Sequence, residues 1–518
     1  MLGSLSYPYL RRIKLIAGWS FFLVILGFSW RVSDFSLINL VTGFANSCRF
    51  VLEMLPPDFS RWPLILTLTV ETLAMGFWGT VFGTILALPL GFLAARNTSG
   101  NWVVYFLAKN LVNMLRAIPD LIYALLFFTS FGLGPLAGVA ALTLATVGLL
   151  GKFYAEAIES IDTKPVEALE AAGSRGISVI RYAVAPQIYP LFVGYNLYLL
   201  DHNIRAAMVL GLVGAGGLGV ELFTQMRTFD YHQASAILLI ILAIITAIDR
   251  VSAYLRHRII AGTFLQPQNR GLDILFLGLM GFAALLSLLF IPISLTEVTR
   301  GLPLLWNFLK AMFPPDFSQI GTYGKLMVET VGMGFTGTFL AVVLALPLGM
   351  FSAKNMVFSK IIYNVMKEIT NFLRAMPELM FALIFIVAVG LGPFAGVLAL
   401  GFHTAGFLGK FYAEAIENID PRPVEAIDAV GSRFSQKIRH GVWTQIMPLF
   451  NSYNLYILDR NIRGSTIMGI VGAGGIGFEL VMSMKLFEYR QTAALILVIM
   501  ITILGFDWLS AYLRGRFV

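Results

Sequence analysis

Residues 166–190 read VEALEAAGSRGISVIRYAVAPQIYP, and residues 424–448 return to them as VEAIDAVGSRFSQKIRHGVWTQIMP. Each copy is a polar island in an apolar chain. It opens on Glu and Ala, runs through basic and small residues, and enters the next hydrophobic segment through a proline. Glu and Ala are strong helix formers, so an ordinary surface helix is the competing reading, and recurrence of the whole pattern weighs against it. Ala168, Ala171 and Ala172 let a partner surface approach closely, Glu167 and Glu170 offer charge, and Gly173 allows a turn between two short helices. The second copy supplies Glu425, Ala426, Asp428, Ala429 and Gly431, with Asp428 and Val430 standing where the first has Glu170 and Ala172.

The surrounding composition sets the solvent. Of 518 residues 58% are hydrophobic and only 13% charged, and the mean hydropathy is +0.79. A soluble chain of this size needs more charge on its exterior, so the expected solvent is a bilayer. The net charge of +8 does not point to nucleic acid, because the basic residues are scattered through loops and form no patch with interleaved aromatics. The single cysteine, Cys48, excludes an intrachain disulfide and a multi-cysteine metal site.

The chain is a gapless duplication. Glu71 and Glu329, Arg116 and Arg374, Lys152 and Lys410, Glu167 and Glu425, and Gly214 and Gly472 all lie 258 residues apart. LPPDF answers FPPDF, LRAIPDL answers LRAMPEL, GLGPLAGV answers GLGPFAGV, and GKFYAEAIE is identical in both halves. That period is too long for a solenoid and describes a domain fused head to tail.

Hydropathy predicts spans near 13–30, 64–94, 117–131, 135–152, 188–210 and 234–255 in the first half. Residues 35–54 and 102–115 are expected to be interfacial amphipathic helices. The first span follows a basic flank with no small-residue cleavage site, so it reads as a retained helix. Six crossings per half return the chain to its starting side, giving both copies one orientation and a pseudo-two-fold axis along the membrane normal. Thirteen Lys or Arg of residues 1–270 fall in loops on one side and four on the other, which sets the termini and both polar islands in the cytoplasm. The expectation is an all-α membrane protein of two tandem domains, 1–255 and 272–518, joined by a cytoplasmic linker at 256–271.

Directly after each island comes an unusual apolar segment, YNLYLLDHNIRAAMVLGLVGAGGLG at 195–219 and YNLYILDRNIRGSTIMGIVGAGGIG at 453–477. It places Asn196, Asp201, Asn203 and Arg205, and again Asn454, Asp459, Asn461 and Arg463, where ionisable groups are expensive and therefore face a partner or a water-filled path. Asp201 and Arg205 are four apart and able to satisfy each other; Asn196 and Asn203 lie on a different face. Arginines held by aspartates in both halves would lower the barrier to an anion without trapping it. The glycines of VGAGG[LI]G have no strand before them, so they read as a tight turn and not as a dinucleotide site. Gly79 and Gly83, with Gly337 and Ala341, read as helix packing, and Glu71 and Glu329 as buried hydrogen-bonding groups. Lys152 and Lys410 are expected to reach the cytoplasmic interface.

The two islands resemble the cytoplasmic "EAA" loops of bacterial ABC importer permeases. Together with LRA[IM]P, GLGP, GKFYAEAIE, Asn-Ile-Arg and VGAGG[LI]G, they resemble the phosphonate importer permeases within the type I, methionine-permease-like fold. The familiar permease is one half-length chain that pairs with a copy of itself, whereas here the pair is covalent. The resemblance implies about six helices per domain and a phosphorus oxyanion as substrate: phosphonate, phosphite, hypophosphite or phosphate. It further implies a periplasmic or lipid-anchored substrate-binding protein and two ATPase subunits, identical by expectation, that carry ATP and Mg and dock on the two loops. The chain itself has no Gly-x-x-x-x-Gly-Lys-[Ser/Thr] phosphate cradle, so it is expected to be no enzyme and to bind no cofactor. The alternatives are a methionine or other amino-acid permease of the same fold and an ion-coupled secondary transporter. A membrane enzyme is disfavoured, since the five histidines form no metal spacing.

Overall fold

The computed structural model describes residues 23–260 and 295–517 apart from 358, with a few isolated positions between 20 and 289. The first halves of the spans expected at 13–30 and at its counterpart lie largely outside the described residues. What is described is helical throughout, with short connections. Six helices are long and apolar enough to cross a membrane, and nine spans result if each of three sharply bent pairs is counted as one.

The chain divides into two compact units, Glu53–Pro314 and Met1–Leu52 with Pro315–Val518. These do not coincide with the two sequence repeats, because each repeat places its N-terminal helices in the unit of the other. Ser33 donates to Thr336 at 3.2 Å, Asn46 to the carbonyl of Ala388 at 3.2 Å, and Phe35 meets Phe394 edge-on. In the other unit, helix Leu295–Ala311 packs on helix Asp120–Phe131, and Trp78 donates to Ser287 at 2.9 Å.

Each unit is built on one close helix pair. In Glu53–Pro314 this is Trp62–Ala94 against Pro135–Glu159. A Cβ added at Gly79, Gly83 or Gly91 would stand about 2.6 Å or less from Leu142, Thr146 and Tyr154, so only hydrogen fits at these rungs. The expected packing role of Gly79 and Gly83 is met. The matching pair Ile320–Phe351 and Pro393–Glu417 is as close at Gly349, while Ala341 fits where the first half has Gly83.

The expected straight crossing at 117–131 is corrected. Helices Trp102–Ala117 and Asp120–Phe131 form an elbow of 88°, and Lys360–Ala375 with Glu378–Val389 one of 92°. Proline excludes the helical region for the residue before it. Ile118 and Met376 are accordingly extended, with ψ 121° and 122°, and the chain turns at each Pro. Twelve residues in a helix rise about 18 Å, too short to cross a hydrocarbon core by themselves. The interfacial helix expected at 102–115 is one arm of this bent element.

The PPDF loops anchor the N-terminal ends of helices Tyr231–Ile260 and Tyr489–Phe517. Asp58 N–H donates to the carbonyl of His232 at 3.0 Å, and Asp316 N–H to that of Arg490 at 2.9 Å. The Asp58 side chain accepts from Ser60 N–H at 2.8 Å and from its hydroxyl at 2.9 Å, and Asp316 accepts from Ser318 N–H at 2.9 Å. Those serine bonds hold both carboxyls below the usual carboxylate range.

Candidate functional site

The polar islands fold as short exposed helices tied to the bundle from behind. Lys164–Ala171 and Pro421–Ala429 contain no buried residue. Val166 packs against the core cluster that includes Ile158, Val184 and Ile188, and Val424 against the one that includes Ile416, Val442 and Ile446. Glu167, Ala168, Glu170, Ala171 and Gly173 all face outward, as do Glu425, Ala426, Asp428, Ala429 and Gly431. A period of 3.6 thus puts Val166 and Leu169 inward and leaves the Glu-Ala face free. Gly173 has φ 84° and Gly431 φ 72°, with open space where a Cβ would stand, so glycine answers here to backbone conformation alone. Ser174 N–H closes the turn on the carbonyl of Leu169 at 2.9 Å.

Each helix is pinned to the membrane segment that follows. The Gln187 amide accepts from Asp162 N–H at 3.0 Å and donates to the Asp162 carbonyl at 3.2 Å; Gln445 makes the same two bonds with Asp420. From the turn, a short irregular helix at Ile180–Val184 runs without a break into Ala185–Gly211. Motion imposed on the exposed helix therefore acts on a continuous rod that carries Asn196 through Arg205.

Along that rod the polar residues divide between two faces, as their spacing predicts. Asn196 donates to the Tyr154 hydroxyl at 2.6 Å and accepts from Thr84, and Asn454 accepts from Tyr412. Asn203 is buried and donates to Thr80 at 2.8 Å and Thr146 at 2.7 Å, while Asn461 donates to Thr338 and Thr404. These bonds join the rod to the close helix pair.

The opposite face carries Asp201 and Arg205. They pair as expected, at 2.9 Å, but Arg205 also bonds Asp249 on helix Tyr231–Ile260 at 2.8 Å. Arg463 likewise bonds Asp459 at 2.8 Å and Asp507 on helix Tyr489–Phe517. Asp249 and Asp507 were not anticipated. Their sequence signal was a carboxylate inside an otherwise apolar span, repeated at the same 258-residue offset. Each guanidinium thus sits between two carboxylates, so each triad carries a formal charge of minus one and does not by itself present a free cation.

The glycine turns close the end of the same rod that lies away from the polar island. Gly214, Gly216 and Gly217 all have positive φ, and Leu218 N–H donates to Thr72 at 2.9 Å. In the second unit, Glu329 accepts from Gly475 N–H at 2.8 Å and Thr330 from Ile476 N–H at 2.9 Å. The tight turn expected of the glycines is present, and Glu329, half-buried, makes the hydrogen bond expected of it. Lys152 and Lys410 make ion pairs with Glu156 and Glu414 one turn on, at 3.5 and 3.6 Å.

Comparison with known proteins agrees with this arrangement. Residues 87–261 and 345–518 each match the family described as binding-protein-dependent transport system inner membrane component. The phosphate-import permease protein PhnE of Mycolicibacterium smegmatis is 35% identical over 497 residues, 95% of this chain and 92% of that protein. The phosphite transport system permease protein PtxC of Stutzerimonas stutzeri is 41% identical over 235 residues, 45% of this chain and 86% of that protein. A probable D-methionine transport system permease protein of Pasteurella multocida is more distant, 26% identical over 195 residues, 35% of this chain and 90% of that protein. The polar loop, the membrane rod behind it and their recurrence lie inside both matched regions, and the chain belongs to the binding-protein-dependent transport system inner membrane components, the permeases of ABC importers, with two permease copies in one polypeptide.

Proposed function

We propose that the chain is the complete transmembrane pathway of an ATP-driven importer for a phosphorus oxyanion: phosphonate, phosphite, hypophosphite or phosphate. The relatives named for phosphate import and phosphite transport support the substrate class. A substrate-binding protein delivers the anion on the outer side, and two ATPase subunits, identical in this reading, bind ATP and Mg and dock on the helices bearing Glu167–Gly173 and Glu425–Gly431. Those helices and both termini are placed in the cytoplasm of a bacterial inner membrane. The observation that carries the coupling role is the paired exposure of the two Glu-Ala faces on helices pinned to the membrane rods.

In this mechanism closure of the ATPases moves both helices together, and each drives its rod, Ala185–Gly211 or Trp443–Met468. ATP binding then biases an equilibrium between outward- and inward-open states. The segments bearing Asn196, Asp201, Asn203 and Arg205, and Asn454, Asp459, Asn461 and Arg463, lie along the route; the triads hold the rods to helices Tyr231–Ile260 and Tyr489–Phe517. The test is to introduce Ala168→Arg and Ala426→Arg together, which obstructs both faces without touching the bundle. The ATPase should no longer copurify and uptake of phosphite or phosphate should stop, while the amount of chain in the membrane stays at wild-type level. Normal copurification would exclude these faces as the docking site.

A further inference from the structure

The repeat also preserves a basic and aromatic set that the coupling role does not use. Arg96, Tyr105 and Lys109 of the first half correspond to Lys354, Tyr363 and Lys367 of the second. Both sets lie at the end of the bundle that carries the polar islands. Arg96 N–H donates to Glu159 Oε1 at 2.9 Å, and Glu159 ends helix Pro135–Glu159, just before the island helix that begins at Lys164. Lys354 N–H donates to Glu417 at 2.8 Å in the same way. Asn97 and Asn355 fasten the two loops further, to the carbonyls of Ile158 at 2.5 Å and Ile416 at 2.6 Å.

The lysines of these sets are held by uncharged groups. Lys109, about 10 Å along helix Trp102–Ala117, reaches back one turn toward the island end. Its Nζ donates to the Tyr105 hydroxyl at 2.6 Å and lies 5.0 Å from the centre of the ring. Lys367 repeats this on Tyr363, at 3.2 and 5.3 Å. A cation over a ring keeps its charge. The loop ties to Glu159 and Glu417 run through backbone N–H groups, and among the described residues neither the Arg96 nor the Lys354 side chain pairs with a carboxylate. Each copy thus sets two cations against one carboxylate; Lys360 and Glu368, found only in the second, balance each other.

The first copy frames a cavity of about 360 Å³ lined by Arg96, Ser99, Asn101, Trp102 and Tyr105. Ser99 donates to the Asn101 carbonyl at 3.1 Å, and the Asn101 side chain accepts from Val103 N–H at 2.9 Å, so both serve the loop. Arg96 brings guanidinium N–H groups, and Tyr105, whose oxygen already accepts from Lys109, brings its O–H. A cluster of donors suits an anion whose oxygens only accept, and a phosphate diester is one. Beside the cavity the helix turns an apolar face outward. Trp102 and Phe106, stacked at 5.4 Å, are exposed with Val103 and Leu107, while Ala108 and Val112 lie in the core. The second helix exposes Ile361, Ile362, Val365 and Ile369. A free phosphate would need the cations alone. Cations beside an outward apolar face on a membrane helix match a molecule with an anionic head and acyl chains.

We propose that each set binds the phosphate of an anionic phospholipid, of the cytoplasmic leaflet in the orientation given above, with Trp102 and Phe106 set among its acyl chains. A zwitterionic lipid brings its own ammonium, which a positive site repels, so the site selects lipids of net negative charge. The inference is independent of which anion is transported.

The test is native mass spectrometry of the full chain in detergent, titrated with phosphatidylglycerol or phosphatidylcholine, with melting temperature measured in parallel. Wild type should retain phosphatidylglycerol at concentrations where phosphatidylcholine is lost, and equal retention of the two overturns the proposal. Combining Arg96→Gln, Lys109→Gln, Lys354→Gln and Lys367→Gln should weaken phosphatidylglycerol binding about thirtyfold, the effect of two basic groups lost at each lipid site. Unchanged retention by that variant overturns the proposal. Arg96→Lys with Lys109→Arg, Lys354→Arg and Lys367→Arg keeps every charge and should bind within about threefold of wild type; a loss as large as that of the glutamine variant overturns the charge argument. Inorganic phosphate in large excess should leave the lipid bound, and displacement assigns the site to a free anion instead. If the glutamine variant does not assemble, wild type alone decides: amide hydrogen exchange around Tyr105 and Tyr363 should be slower in phosphatidylglycerol nanodiscs than in phosphatidylcholine ones, and identical exchange overturns the proposal.

Discussion

At the scale of single residues, Arg205 shows how neighbours decide what a charge does. Its spacing from Asp201 spells a pair on one helix face, and that pair is present. The second partner, Asp249, lies 44 residues on and becomes a neighbour only through packing of Ala185–Gly211 on Tyr231–Ile260. Replacing Arg205 by Gln leaves two carboxylates facing each other without a counter-charge. The expected cost is about 2 kcal/mol, less than the roughly 3–5 of a fully buried pair because the groups stay partly exposed. Adding Asp249→Asn should return part of it, and thermal unfolding of the detergent-purified protein measures both. The sequence therefore showed the intrahelical half of each triad and left the other half unread, because periodicity reports one helix at a time. The opposite face was more legible: Asn196 and Asn203, seven apart, do lie together and away from Asp201, although Thr80, Thr84, Thr146 and Tyr154 had nothing in their spacing to announce them as partners.

At the scale of elements, the turns carry the constraints. Gly173 has open space around its missing Cβ, so bulk is tolerated there and backbone conformation is not. Gly173→Val should distort the exit from Lys164–Ala171 and weaken ATPase copurification severalfold, whereas Ser174→Val, beside it with ordinary dihedrals, should have a much smaller effect. The PPDF loops give a pH dependence. The serine bonds to Asp58 and Asp316 favour their ionised forms and depress both carboxyls. Their contribution to stability is accordingly complete above the ordinary carboxylate range and is lost as pH falls through the depressed values. A protein with Asp58→Asn and Asp316→Asn should be less stable than wild type near neutrality, and the difference in melting temperature should shrink on acidification below about pH 4. The elbow at Pro119 illustrates a limit of hydropathy. A window average sees an apolar run and counts a crossing, while the turn is set by one extended residue before a proline, a local backbone fact that hydropathy does not weigh.

At the scale of the whole molecule, the 258-residue repeat was fully readable and the compact units were not. Two copies of one sequence pattern give no instruction about which copy an N-terminal helix joins. The structure assigns Met1–Leu52 to the unit of the second repeat and Leu295–Ala311 to that of the first. Segments 1–260 and 271–518 expressed separately should each lack helices their unit requires and be degraded, while coexpression should restore both; copurification of one through a tag on the other is the measurement. The exchange has a consequence for biosynthesis. Ser33 and Asn46 are synthesised well before the residues they bond, Thr336 and Ala388, which lie 303 and 342 residues further on. At about 5–20 residues per second, those separations amount to roughly 15–70 seconds of synthesis. During that interval Ser33 has only its local bond to the Ser29 carbonyl, and the Asn46 amide, later bonded to the carbonyl of Ala388, has lipid, water or a chaperone to satisfy it. Until then the segment bearing Ser33 and Asn46 is an orphan to membrane quality control, so the fused chain has a built-in waiting time that its folding must survive.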